Sequence, residues 1–243
     1  METTRAGICA VGYLTVSAQD YVKDPKRPYF KVIGTGFLVR PTTVITNRHV
    51  IEKLETEQAD FGFPDDQKLL TFVYPIGPGK WQSGSCIVRA TSISTDPRLD
   101  VGFIEFNRRP DPDFAKCQPL QFGGLATAIV GHPIAACGYP YGTAMLTKEG
   151  RVYRFGPVLQ QGYISALSPF DKAGTIDELL LDLRAAPGMS GSPVFFPGDG
   201  GVIGIIYATW EATTAVAIPL DAQNVKVWLS EHDNWLAKSP PKP

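Results

Sequence analysis

One stretch limits this chain more than any other. It reads Ala186-Pro187-Gly188-Met189-Ser190-Gly191-Ser192-Pro193-Val194-Phe195. Gly188 and Gly191 bracket Ser190, and glycine adopts backbone angles that other residues resist. The run from Pro193 to Phe195 reads as entry into a buried strand. A turn of this kind can push a serine oxygen into a cleft and aim backbone N–H groups at a developing oxyanion. Taken alone, it also reads as a Gly/Ser-rich turn between two strands, so the remainder of the chain has to decide.

At 243 residues the chain has room for one large or two small domains with ample apolar core. Its 24 glycines, 21 prolines and many short apolar runs favour an all-β architecture with frequent turns. With 23 basic and 24 acidic residues the net charge is −1, which offers no basic stripe for nucleic acid and no charged tail. No apolar run approaches membrane-spanning length. Residues 6–18 carry a weak signal-peptide pattern. Glu2 offsets Arg5, however, and Gly7, Gly12 and Thr15 interrupt the run, so a first strand is the preferred reading. Cys9, Cys86, Cys117 and Cys137 form no Cys-x-x-Cys pair, which argues against zinc. They read as buried free thiols and a reducing, cytoplasmic setting.

In chain order, residues 8–17 read as a strand and 18–28 as a polar loop. Strands follow at 30–39, broken by Gly34-Thr35-Gly36 where backbone must pass close to another segment, and at 42–46. Asn47-Arg48-His49-Val50 then opens a short helical turn to Lys53, and 54–67 reads as loop. Strands at 69–74 and 87–94 precede Asp96-Pro97-Arg98-Leu99-Asp100, which enters the apolar run 101–106. Residues 107–124 read as a linker. Beyond it, strands are expected at 152–167, 179–183, 194–196, 202–207 and 216–220. Asp221 caps a final helix, 221–236, whose face carries Val225, Trp228, Leu229, His232, Trp235 and Leu236. Residues 238–243 read as a frayed tail.

Three motifs share one resemblance. Gly34-Thr35-Gly36-Phe37-Leu38-Val39 followed by Thr46-Asn47-Arg48-His49-Val50, the Asp96-x-x-x-Asp100 run, and Gly188-Met189-Ser190-Gly191-Ser192-Pro193 together resemble chymotrypsin-fold (trypsin-like) serine proteases. Within them the chain is most similar to the HtrA-like branch, which has an uncharged residue before the serine, here without an appended PDZ module. The segment Val130 to Gly142 is similar to the first strand region of the family's second barrel. The resemblance implies two six-stranded-type β-barrels, at 8–106 and 125–220, with a C-terminal helix.

It also implies roles. His49, Asp100 and Ser190 occur in the family's His, Asp, Ser order, with the first two on one barrel and the serine on the other. His49 would act as base, Asp100 would orient it, and the N–H groups of Gly188 and Ser190 would form the oxyanion hole. Asp96 is the rival acid, but Asp-Pro suits a turn. Arg184, six residues before the serine, matches the base of the family's specificity pocket, with Tyr207, Ala208 and Thr209 as the opposing wall. No cofactor or metal is implied, and the partner is a protein or peptide substrate. His132, Tyr139 and Tyr141 read as local or structural. Met189 stands where digestive relatives carry an aspartate that pairs with a new N-terminus, so activation by that ion pair is not available and an activating partner stays open. The family's usual disulfides beside the histidine and the serine cannot form here, since Val50 and Ala186 occupy those positions. A non-catalytic peptide-binding or chaperone-like domain on the same fold is the alternative reading. A small-molecule esterase would need a Gly-x-Ser-x-Gly elbow and alternating helices.

Overall fold

A computed structural model describes residues 2–23, 29–60, 67–142, 147–148, 151–152, 156–170, 176–210 and 213–238. After a short helix α1 (Glu2–Ala6), the first barrel is built from β1 (Ile8–Leu14), β2 (Phe30–Arg40), β3 (Thr43–Thr46), β4 (Lys68–Gly77), β5 (Lys80–Ile93) and β6 (Gly102–Phe106). These six strands close antiparallel in the order β1-β2-β3-β6-β5-β4. A two-strand pair, β8 (Thr147–Lys148) and β9 (Arg151–Val152), follows β7 (Pro133–Gly138). The second barrel joins β7 to β10 (Val158–Ser168), β11 (Glu178–Leu181), β12 (Pro193–Phe195), β13 (Val202–Trp210) and β14 (Thr214–Pro219). It closes in the order β10-β11-β14-β13-β12-β7. The expected pair of six-stranded barrels is therefore the observed fold.

The sequence of β1 explains how the barrels are fused. All seven of its residues are buried, although side chains alternate across a strand. Cys9, Val11 and Tyr13 point into the first barrel with Leu70, Phe72 and Phe106. Ile8, Ala10 and Leu14 join a separate apolar layer with Ala135, Cys137 and Phe195 from the second barrel. β7 mirrors this, with Ile134 and Ala136 in the second barrel's interior and Ala135 and Cys137 in the shared layer. Each of these strands is apolar on both faces because each face meets a core.

Two expected loops differ. Residues 18–23 form helix α2 (Ala18–Lys23) rather than loop. Ser17 caps it: its Oγ accepts from the Asp20 N–H at 3.1 Å and donates to the Asp20 carboxylate at 2.7 Å. Residues 24–28 and 61–66 lie outside the described residues. The helix that carries His49, α3 (Arg48–Asp60), runs far past Lys53. Among its described side chains Val50, Ile51 and Leu54 anchor it in the first barrel's core, and the polar residues after them concealed its length. The linker is not merely a connection. Its residues 112–116 form a 3-10 turn, and Phe114 plugs the first barrel edge-on to Phe72 and Tyr74.

The last helix, α4 (Ala222–Lys238), starts where Asp221 Oδ1 accepts from the Asn224 N–H at 2.7 Å. Val225, Leu229 and His232 are its buried face. His232 lies 2.7 Å from Ser92 Oγ through Nδ1 and 3.1 Å from Glu105 Oε1 through Nε2, and its ring stacks on Phe103. This Ser–His–Glu set resembles a catalytic relay in composition only. The His232 side chain is 0% exposed, so no substrate reaches it, and it fastens α4 to the first barrel.

All four cysteines are unpaired and buried. Burial pushes the Cys86 thiol up to about 11 and the Cys117 and Cys137 thiols up to about 12, which leaves almost no thiolate at neutral pH. A thiol reagent should therefore react slowly with the native protein and count four thiols after denaturation without reductant. Recovery of two or none would mean disulfides.

Candidate active site

The site is assembled where α3 begins, where the 94–101 loop returns, and where the 186–192 turn meets the first barrel. Asn47 immediately precedes α3 and is fully buried. Its Nδ2 donates to the Asp100 carbonyl at 2.9 Å, which ties the start of the helix to the loop that bears the acid. Arg48 reinforces this, donating through Nη2 to the carbonyls of Ser94 at 2.5 Å and Asp96 at 2.9 Å.

Held in this way, Asp100 receives His49 at two points. The His49 backbone N–H donates to Asp100 Oδ1 at 2.9 Å, and Nδ1 lies 2.6 Å from Oδ2. A carboxylate has no proton to give, so Nδ1 carries the hydrogen, and in the neutral imidazole Nε2 is then the nitrogen with the lone pair. The His49 side chain is 44% exposed against 23% for Asp100, so the imidazole is the more open to solvent of the two. Asp96 is occupied elsewhere. Its carboxylate takes the Arg98 guanidinium and backbone N–H, which lower it to about 2. Of the two carboxylates, Asp100 is the one brought to His49.

Ser190 comes from the other barrel. Gly188 and Gly191 take positive φ of 94° and 87° around it. Neither position tolerates a side chain: a Cβ at Gly188 would lie 2.2 Å from the Tyr139 carbonyl oxygen, and one at Gly191 would lie 1.8 Å from that of Thr35. Across the cleft, Gly34 has no side chain because its Cβ would strike Val50 at 2.7 Å and approach the Ser190 carbonyl oxygen at 3.2 Å. The residue after His49 and the backbone of Ser190 therefore both close on the space where a Gly34 side chain would stand. Among the described residues no hydrogen bond joins the Ser190 hydroxyl to His49, whose Nδ1 contact is with Asp100. Ser192, two residues on, is fully buried against Gly138 and Met189 and does not face the cleft.

Residues 34–205 match the trypsin-like peptidase domain family. The chain belongs to that family. As a trypsin-like peptidase domain it also aligns with solved structures of Rv3671c from M. tuberculosis H37Rv. One, an inactive form of a serine-to-alanine mutant, has a TM-score of 0.53 at 18% identity over 100% of this chain and 91% of that one. The other, the inactive form of the Rv3671c protease, has a TM-score of 0.54 at 20% identity over 94% of this chain and 89% of that one. At these identities the likeness is one of fold. No curated protein matches in sequence.

The peptidase domain has a cleft of about 630 Å³ lined by Asp100 with Leu99, Tyr207, Glu178 and Trp228; His49 and Ser190 do not line it. Tyr207 sits at a bulge in β13, which turns it toward this cleft, and its hydroxyl donates to Glu178. Burial and that neighbouring carboxylate push the phenol well up. A second concavity of about 790 Å³, around His132, Tyr163 and Phe196, contains none of the three triad candidates. Arg184 is exposed and follows the buried Leu183, while Ala208 is half-buried and Thr209 exposed. His132 packs its ring against Phe196 and contacts the Thr127 carbonyl oxygen through Nδ1 at 2.8 Å, and Tyr139 is buried in the layer between barrels. Among the described residues no group of three or more His, Cys, Asp or Glu is placed to hold a metal ion, and no helix is long and apolar enough to cross a membrane.

Sequence reasoning missed Arg48 and Thr35. Arg48 is the unspecified position of the Thr-Asn-x-His-Val run, and its guanidinium reaches backward to a loop almost fifty residues away, with no local pattern to betray it. Thr35 lay inside a motif read only for its glycines.

Proposed function

We propose that this peptidase domain is a serine endopeptidase that works through an acyl-enzyme. The observation that supports this most is the two-point grip of Asp100 on His49, with Nδ1 at 2.6 Å, together with a serine turn bracketed by two glycines at positive φ. In this reading His49 Nε2 takes the proton of Ser190 as Oγ attacks the scissile carbonyl. Asp100 holds the tautomer and stabilises the imidazolium, without itself taking the proton. The N–H groups of Gly188 and Ser190 bind the oxyanion. Collapse of the tetrahedral species expels the amine, which His49 protonates, and water then repeats the sequence to release the acyl group. The unpaired thiols support a reducing, cytoplasmic setting for the protein.

For the primary pocket we propose that Arg184 and the 207–209 segment disfavour basic side chains, because a basic side chain bound beside Arg184 meets a like charge. A peptide library digested by purified protein and read by mass spectrometry tests both statements. Internal peptide bonds should be cut, and cleavage after Lys or Arg should not dominate. A preference for cleavage after Asp or Glu that Arg184→Ala removes would support the pocket assignment, and dominant cleavage after basic residues would overturn it. A folded sample that binds peptides and cuts none would overturn the endopeptidase reading in favour of a non-catalytic binding domain.

A further inference from the structure

The oxyanion loop has to hold its N–H groups in one direction, and Met189 gives it no charge with which to do so. Met189 is 1% exposed and packs in the second barrel's apolar core with Ile203, Ile206 and Val194. Two carbonyls on either side of the Gly188 N–H are nonetheless held. The Pro187 carbonyl accepts from the N–H of Tyr141, a non-glycine residue at φ 55°. The Gly188 carbonyl accepts from Thr35 Oγ1 at 2.7 Å.

Thr35 comes from the other barrel and is fully buried. Its hydroxyl has one proton, given to Gly188, and accepts from the Tyr139 N–H at 3.0 Å. Its own N–H donates to the Ser190 carbonyl at 2.8 Å, and its carbonyl accepts from Thr46 Oγ1 at 2.7 Å. One residue thus ties β2, the end of β3, the end of β7 and both ends of the Gly188–Ser190 segment. A trans peptide points its N–H opposite to its C=O. Holding the Pro187 carbonyl at Tyr141 therefore directs the Gly188 N–H away from Tyr141. Holding the Gly188 carbonyl at Thr35 directs the Met189 N–H away from Thr35, where it finds the Ala186 carbonyl at 2.9 Å. Rotation of the Gly188–Met189 peptide would break the Thr35 and Ala186 bonds together and disturb the backbone that leads to the Ser190 N–H, while the Gly188 N–H is held on the other peptide through the Pro187 carbonyl.

We propose that Thr35 is a positioning residue for the oxyanion hole: its hydroxyl locks the Gly188–Met189 peptide from the opposite barrel, in place of an ion pair at Met189. The proposal rests on the endopeptidase reading above. It makes the competent form of the hole a property of how the two barrels dock, so no cleavage of the chain is needed to set it.

Thr35→Val keeps the shape and removes the hydroxyl. Steady-state kinetics on a peptide substrate should show kcat lower by about 100-fold, the scale of losing one oxyanion donor, with KM little changed. Affinity for a peptide aldehyde, whose adduct carries the oxyanion, should fall in parallel with kcat. Thr35→Ser, which keeps the hydroxyl, should restore both. Because valine leaves two buried groups unpartnered, Thr35→Ala, with room for a water in the hydroxyl's place, is measured beside it as a second folded variant. A hydroxyl-less variant with wild-type kcat and aldehyde affinity overturns the proposal. So does a loss that Thr35→Ser fails to rescue. A wild-type protein that neither cuts peptides nor binds the aldehyde would instead overturn the endopeptidase reading itself.

Discussion

Replacing Ser190 with alanine should lower peptide turnover by about 10⁶-fold and leave the fold unchanged. The size follows from the role assigned to it: without Oγ no acyl-enzyme forms, and what is left is the effect of binding and the oxyanion donors on direct attack by water. The fold should survive because the turn is held by its backbone, through the Ser190 carbonyl to Thr35, the Gly191 N–H to Ile206 and the Ser192 N–H to Met189. Ser192→Ala is the matched control. Ser192 is fully buried with its Oγ 3.8 Å from the Met189 sulfur, so the change should cost about 1 kcal/mol of stability and spare catalysis. Initial rates on a peptide substrate, with thermal unfolding of each variant, check both. If Ser192→Ala is the inactive one, the nucleophile has been placed in the wrong register.

Asp100→Asn should lower kcat by about 10⁴-fold. The substitution nearly preserves shape, and the His49 N–H can still donate to the side-chain oxygen. The change falls on the other oxygen, 2.6 Å from Nδ1. An amide NH₂ placed there donates to Nδ1, which moves the imidazole hydrogen to Nε2 and removes the lone pair that must take the serine proton. Asp96→Asn should act differently. Its carboxylate serves Arg98 at the surface, 2.8 Å from Nη2, and loosening that pair should change turnover by no more than a few-fold. The reverse ranking would reassign the acid.

The parts of the site carried by contiguous residues were legible before any coordinates. Gly188-Met189-Ser190-Gly191 and Thr46-Asn47-Arg48-His49 are local devices: glycines at positive φ and a helix start, each set by neighbouring residues. Short apolar runs between turn residues made an all-β chain legible, and the resemblance of the three motifs implied the two barrels; that β1 is apolar on both faces is explained only by its pairing and the two cores it meets. Contacts that skip along the chain were not legible. Thr35 reaches Gly188 across 153 residues, and Tyr139 across 104. Helix α2 was missed although Ser17 and Asp20 hold its cap, because the prolines at 25 and 28 made the whole segment look like loop. Phe114 was assigned to a linker because charge and proline surround it, while its ring fills the first barrel. Arg184 was placed by counting back from Ser190, and a count along the chain says nothing of which way a side chain faces at the end of a strand.

The claim at the centre is that Ser190, served by His49 and Asp100, is the one nucleophile of the cleft. Labelling the native protein with a fluorophosphonate and mapping the adduct by tandem mass spectrometry tests it most directly. The account predicts one phosphonate per chain, on Ser190, formed slowly or not at all when His49 is replaced by alanine. An adduct on Ser192, or a folded protein that takes no label while peptides are still cut, would contradict it.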